Sequence, residues 1–151
     1  MIPTMLNSIK ILMVESDLDE LYSLQEALTV SQIVSVEIQE VQDGEQALAY
    51  LRQEHPFLDA SRPNLMFLGL TLPGISGLEV LEEIHQDQTL RSLPIVVLTN
   101  TINPRVVSKI QQPSLPRYVF KKPTSCNEWI CVLRCIEDVW HTISSTQSQR
   151  A

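Results

Sequence analysis

Three cysteines are all that 151 residues contain, Cys126, Cys131 and Cys135, and they sit near the C-terminal end. An odd number without a C-x-x-C spacing builds neither a disulfide framework nor a zinc site. Cys131 and Cys135 are four apart in an expected helix and can share a face; the reading is of buried thiols in a reducing compartment. No apolar run approaches the roughly 18 residues of a membrane-spanning helix. Residues 1–10 lack the apolar core and cleavage pattern of a secretory leader. A cytoplasmic protein with no membrane partner is therefore expected. Basic clusters are scarce too: Lys121-Lys122 is the densest point, against a net charge of −7 from 11 basic and 18 acidic side chains. Nucleic acid is bound through such clusters, so it is not an expected partner. The chain also lacks a G-x-x-x-x-G-K loop, a Ser/His/Asp or Cys/His set, and internal repeats. His55, His85 and His141 fall in a loop and on two helices and are expected at the surface.

What is present suits one folded domain. Hydrophobic residues make up 44% and charged residues 19% of the chain. A chain of this length buries roughly 70% of its unfolded surface. Short apolar runs, Ile9 to Val14, Leu65 to Leu68 and Pro94 to Leu98, read as strands buried on both faces. Val34 to Val41 mixes apolar and polar residues, as an edge strand does, and Tyr118 to Phe120 is the fifth strand. Between them lie segments of helical spacing: Leu18 to Thr29, capped by Ser16 or Asp17, then Glu45 to Glu54 and Leu78 to Gln86. A short helix opened by Pro104 and stopped by Pro113 and Pro116 follows, and the last helix runs from Asn127 to Ile143. Alternating strands and helices imply a parallel sheet covered on both faces. The expected organisation is a tail over 1–8, one domain over 9–143 and a polar tail over 144–151.

In such sheets ligands bind beyond the carboxyl ends of the strands, where the strand order reverses. That rule selects Glu15, Ser16 and Asp17 after the first strand, Gly69 to Thr71 after the third, Thr99 and Asn100 after the fourth, and Lys121 and Lys122 after the fifth. Mg²⁺ wants octahedral oxygen ligands, including one or two carboxylates. Glu15 alone is a thin basis for such a site.

These strand-end residues, with several motifs, resemble the receiver domains of response regulators over nearly the whole chain. The resemblance is strongest to the stand-alone regulators that partner cyanobacterial and other bacterial phytochromes. It is carried by Val41 to Leu51, Arg62 to Leu65, Leu72-Pro-Gly-Ile-Ser-Gly77 with Glu79 to Leu81, Leu93 to Thr99, Lys122-Pro123 and the late Trp140. It implies an α/β, flavodoxin-like five-stranded parallel sheet of order 2-1-3-4-5, flanked by five helices.

The resemblance also assigns roles. Two adjacent acids hold Mg²⁺ in the family; here the first matches Glu15 and the second position is Ser16. The phosphoacceptor aspartate falls at Gly69, and the metal-binding carbonyl two residues on at Thr71. The switch hydroxyl matches Thr99, and the lysine that meets the phosphoryl group matches Lys122, followed by Pro123 after a cis peptide bond. The aromatic switch position is Val119, with Tyr118 one place off, and the acid of the Pro-Gly-x-Asp-Gly turn is Ser76.

Glycine has no side chain to attack phosphorus, and Ser16 removes a metal-neutralising charge. The implied protein is a pseudo-receiver without a catalytic residue, a metal or another cofactor, in which Lys122 pairs with Glu15. It is expected to act by binding proteins: a histidine kinase such as a phytochrome, another response regulator, or a second copy in a homodimer. The last helix supplies the interface candidates Trp129, Leu133, Ile136, Trp140 and Ile143. Two alternatives stand beside this: phosphorylation at Ser16 or Asp17, and a small-molecule sensor using the space beside Gly69.

Overall fold

The computed structural model describes residues 9–15, 18–30, 36–111 and 116–136. Ser16, Asp17, Val34, His141, Trp140 and Ile143 lie outside them. Five parallel strands, β1 (Ile9–Val14), β2 (Val36–Val41), β3 (Leu65–Gly69), β4 (Ile95–Thr99) and β5 (Arg117–Lys121), form one sheet in the order β2-β1-β3-β4-β5. Helices α1 (Leu18–Val30), α2 (Gly44–Leu51), α3 (Gly77–Gln86), α4 (Pro104–Ile110) and α5 (Cys126–Cys135) connect or follow them. This is the expected flavodoxin-like fold.

Period-two alternation divides the core. Ile11, Met13, Phe67, Val96 and Leu98 point to one face, where they meet Leu24, Ala27, Trp129, Val132 and Leu133 of α1 and α5. Leu12, Val14, Met66, Leu68, Ile95 and Val97 point to the other, against Ala47, Leu51, Val80, Ile84 and Ile110 of α2, α3 and α4. The order reverses between β1 and β3, which both carry on in register (Val14 beside Leu68) to the same edge. Loops leaving their carboxyl ends therefore converge.

Local chemistry sets the helix starts. Asp43 accepts from the Gln46 amide at α2, and Ser76 and Glu79 form a reciprocal capping box at α3. Asn103 accepts from the Arg105 amide ahead of α4, with Pro104 in its first turn, and Ser125 accepts from the Glu128 amide at α5. The α2 helix stops at Leu51, short of the expected Glu54, because Gln53 takes φ +58° and cannot continue a right-handed helix. Among the described residues the cis peptide bond is His55–Pro56; Lys122–Pro123, expected cis, is trans. A Lys-Pro dipeptide does not impose the cis form, since X-Pro bonds favour trans by about 0.5–1 kcal/mol.

Three further expectations are corrected. Trp129, Leu133 and Ile136, taken from the sequence as interface candidates, are at most 2% exposed and belong to the core of the chain itself. The Trp129 ring stands edge-on to Phe67 at 5.4 Å. The physical reason is that α5 buries one stripe, Trp129, Val132, Leu133 and Ile136, against the sheet and α1. Cys131 and Cys135 are exposed rather than buried, and Cys126 is half-buried. His55 is exposed, but His85 is half-buried with an enclosed Nδ1 that lacks a hydrogen-bond partner. No helix of the described residues is long and apolar enough to cross a membrane.

Candidate functional site

The site is built at the carboxyl ends of β1, β3, β4 and β5. The Glu15 amide donates to the Val41 carbonyl at 3.1 Å, extending the β1–β2 ladder by one residue. That bond fixes the backbone from which the Glu15 side chain, 4% exposed, enters the crevice. From the other side, Thr99 lies beside Lys121 in the β4–β5 register, and the Lys122 amide donates to the Thr99 carbonyl at 2.8 Å. Lys122 Nζ then reaches Glu15 Oε2 at 3.2 Å. At that separation and an effective dielectric of about 20 the attraction is about 5 kcal/mol. Desolvation of two enclosed charges cancels much of it.

Gly69 closes β3 beneath this pair. A Cβ placed there would stand 3.2 Å from Glu15 Oε2 and 3.6 Å from the Val14 carbonyl oxygen. The space a side chain at 69 would enter is thus bordered by the Glu15 carboxylate. Gly77 holds the next turn: a Cβ on it would meet the Gly69 carbonyl oxygen at 2.6 Å and Leu70 Cα at 2.7 Å. Its amide donates to the Leu70 carbonyl at 3.0 Å. Only glycine permits the start of α3 to lie this close to the end of β3.

The remaining residues selected from the sequence are placed less centrally. Thr99 donates its hydroxyl to the Thr101 carbonyl at 3.0 Å and accepts from the Thr101 amide at 3.3 Å. Its oxygen is engaged by its own loop, a local ring that Ser and Thr commonly form. Thr101 carries no sequence signal that distinguishes it from other loop hydroxyls. Thr71 is exposed in the β3–α3 loop. Val119 packs on the α2–α3–α4 face, whereas Tyr118 packs on the α1–α5 face, so Tyr118 cannot serve the aromatic position one residue on. Glu15, Gly69 and Lys122 are therefore the residues the fold brings together.

A divalent cation would need several oxygen ligands here. Glu15 is engaged by Lys122, and Gly69 offers only backbone. Among the described residues no group of three or more His, Cys, Asp or Glu side chains is gathered for a metal ion.

Response regulator Rcp1 of Synechocystis sp. is 41% identical over 93 residues, which are 62% of this chain and 63% of that protein. The matched segment thus spans a little under two thirds of that relative. The phosphorylated cyanobacterial phytochrome response regulator RcpA has a similar structure, with a TM-score of 0.76 at 38% identity over 88% of this chain and 94% of its own. The Mn²⁺-bound form of Rcp1 gives 0.75 at 33% identity, over 87% and 94% of the two chains. The response regulator receiver domain model matches residues 11–128. With the strand order and the strand-end lysine in place, the chain belongs to the receiver domains of two-component response regulators.

Proposed function

We propose that this receiver works without phosphoryl chemistry, as a protein–protein interaction module in two-component signalling. One observation carries the reading: the phosphoacceptor position is Gly69, and the Glu15–Lys122 pair stands over it. Phosphoryl transfer to a receiver requires a nucleophile and neutralisation of the phosphoryl charge. Gly69 supplies no nucleophile. Lys122 is already directed to Glu15, and Ser16 stands where the family has a second acid. Mg²⁺ binding is lost or weak by the same reasoning, and the protein is not an enzyme.

Without the switch, the module rests in one conformation and is governed by its abundance or by a partner. The partners that suit it are a histidine kinase such as a phytochrome, another response regulator, and a second copy in a homodimer. With Trp129, Leu133 and Ile136 in the core, Trp140 and Ile143 are the remaining apolar candidates for that contact.

The test is intact mass after incubation with acetyl phosphate and Mg²⁺, with a phosphorylatable receiver run in parallel. No adduct on this chain, with an adduct on the control, is the expected result. A phosphoryl adduct overturns the proposal, and peptide mapping then decides between Ser16 and Asp17.

A further inference from the structure

Helix α5 gives one face to the core through Trp129, Val132, Leu133 and Ile136. Away from that face lie Cys131 and Cys135, both exposed free thiols. They stand four positions apart along the helix, an axial rise of about 6 Å, and side chains at this spacing are neighbours with Cβ atoms about 5–6 Å apart. A disulfide needs Cβ atoms about 3.5–4.5 Å apart. The helix therefore holds the pair too widely for a direct sulfur–sulfur bond. A single bridging atom has no such difficulty: sulfur bonds of about 2.3 Å, as zinc makes, span two sulfurs about 4 Å apart.

We propose that Cys131 and Cys135 together form a chelating dithiol site for a thiophilic centre of the trivalent-arsenical class. Thiolates select soft centres. Structural zinc takes four ligands, and the described residues gather no third His, Cys, Asp or Glu side chain into a metal-binding group. An arsenical with one organic substituent needs only two sulfurs. Cys126 stands apart from the pair. It is half-buried, and burial together with the Glu26 carboxylate pushes its thiol pKa up.

The reaction balances without an oxidant. An organoarsenic oxide, R–As=O, meets two thiols; two As–S bonds form, the As–O bonds break, and the oxygen leaves as water with both thiol protons. Neither sulfur nor arsenic changes oxidation state. Because the thiols lie off the core face, the chelate forms without unpacking α5.

The test treats the full chain with phenylarsine oxide, then challenges it with excess 2-mercaptoethanol while intact mass and free thiols are followed. Wild type is expected to take one arsenical, lose two thiols and keep the adduct. Cys131→Ser and Cys135→Ser are each expected to release it at least about a hundredfold more readily, the scale on which a second linked contact acts. Cys126→Ser should match wild type. Circular dichroism of each variant checks that the helices persist. Release from wild type as easy as from the single variants, or retention that depends on Cys126, overturns the proposal.

Discussion

An aspartate at position 69 would have to share its surroundings with Glu15, and the cost can be worked from the structure. The Cβ would stand 3.2 Å from Glu15 Oε2, so the new carboxylate comes within about 4 Å of the existing one. Two like charges at about 4 Å and an effective dielectric of about 20 repel by about 4 kcal/mol. Lys122, 3.2 Å from Glu15, offsets part of this repulsion. Gly69→Asp should therefore destabilise the fold near pH 8, by at most about 4 kcal/mol. Gly69→Ala isolates the charge. Its Cβ meets the far end of a flexible side chain, and alanine restricts the unfolded chain by about 0.4–1 kcal/mol. It should stay within about 1 kcal/mol of wild type.

The assay is urea unfolding of both variants near pH 8 and near pH 5. Like-charge repulsion raises the folded-state pKa of the new carboxyl above its unfolded value. Between the two values the unfolded chain has released a proton that the folded chain keeps, so stability falls as pH rises. The penalty is complete above the folded pKa and shrinks as pH falls through it. Gly69→Asp should thus lie further below Gly69→Ala near pH 8 than near pH 5. Equal stabilities near pH 8, or a gap that widens toward acid, would refute the placement of Glu15 over Gly69.

Two other outcomes follow from the geometry. Trp129→Ala removes a side chain with 0% exposure from its edge-on contact with Phe67 and should cost about 3–5 kcal/mol in chemical denaturation; a loss below about 1 kcal/mol would return Trp129 to the surface role. Asp87 has its pKa lowered, first by the Thr89 hydroxyl at 2.7 Å and then by the Thr89 amide at 2.9 Å. Its contribution to stability is present above its unfolded pKa and is lost as pH falls through the lower folded value. Thr89→Ala should raise the Asp87 pKa toward the ordinary carboxylate range in an NMR titration, and an unchanged value would refute the cause.

Much of the site was legible in the sequence because it depends on residue identity at a strand end. Leu65 to Leu68 and Ile95 to Leu98 announce themselves as strands because both faces are buried and every position is apolar. Gly69 follows directly, and glycine lacks a nucleophile whatever surrounds it. Glu15, expected to pair with Lys122, is found 3.2 Å from it. The α5 residues were harder. Apolar residues lie on more than one stripe of this helix, so spacing alone does not say which stripe meets the sheet. Packing against α1 and β3 chose the stripe of Trp129, Val132, Leu133 and Ile136, and left Cys131 and Cys135 outside.

The sequence by itself determined the element order, the parallel sheet and the glycine at the end of β3, since these rest on local periodicity and on which residue stands where. Only the tertiary structure decided that Glu15 stands over Gly69, that the Thr99 hydroxyl turns to Thr101, and which side of α5 faces outward. Those outcomes depend on distances between segments far apart in the chain, and periodicity does not encode such distances.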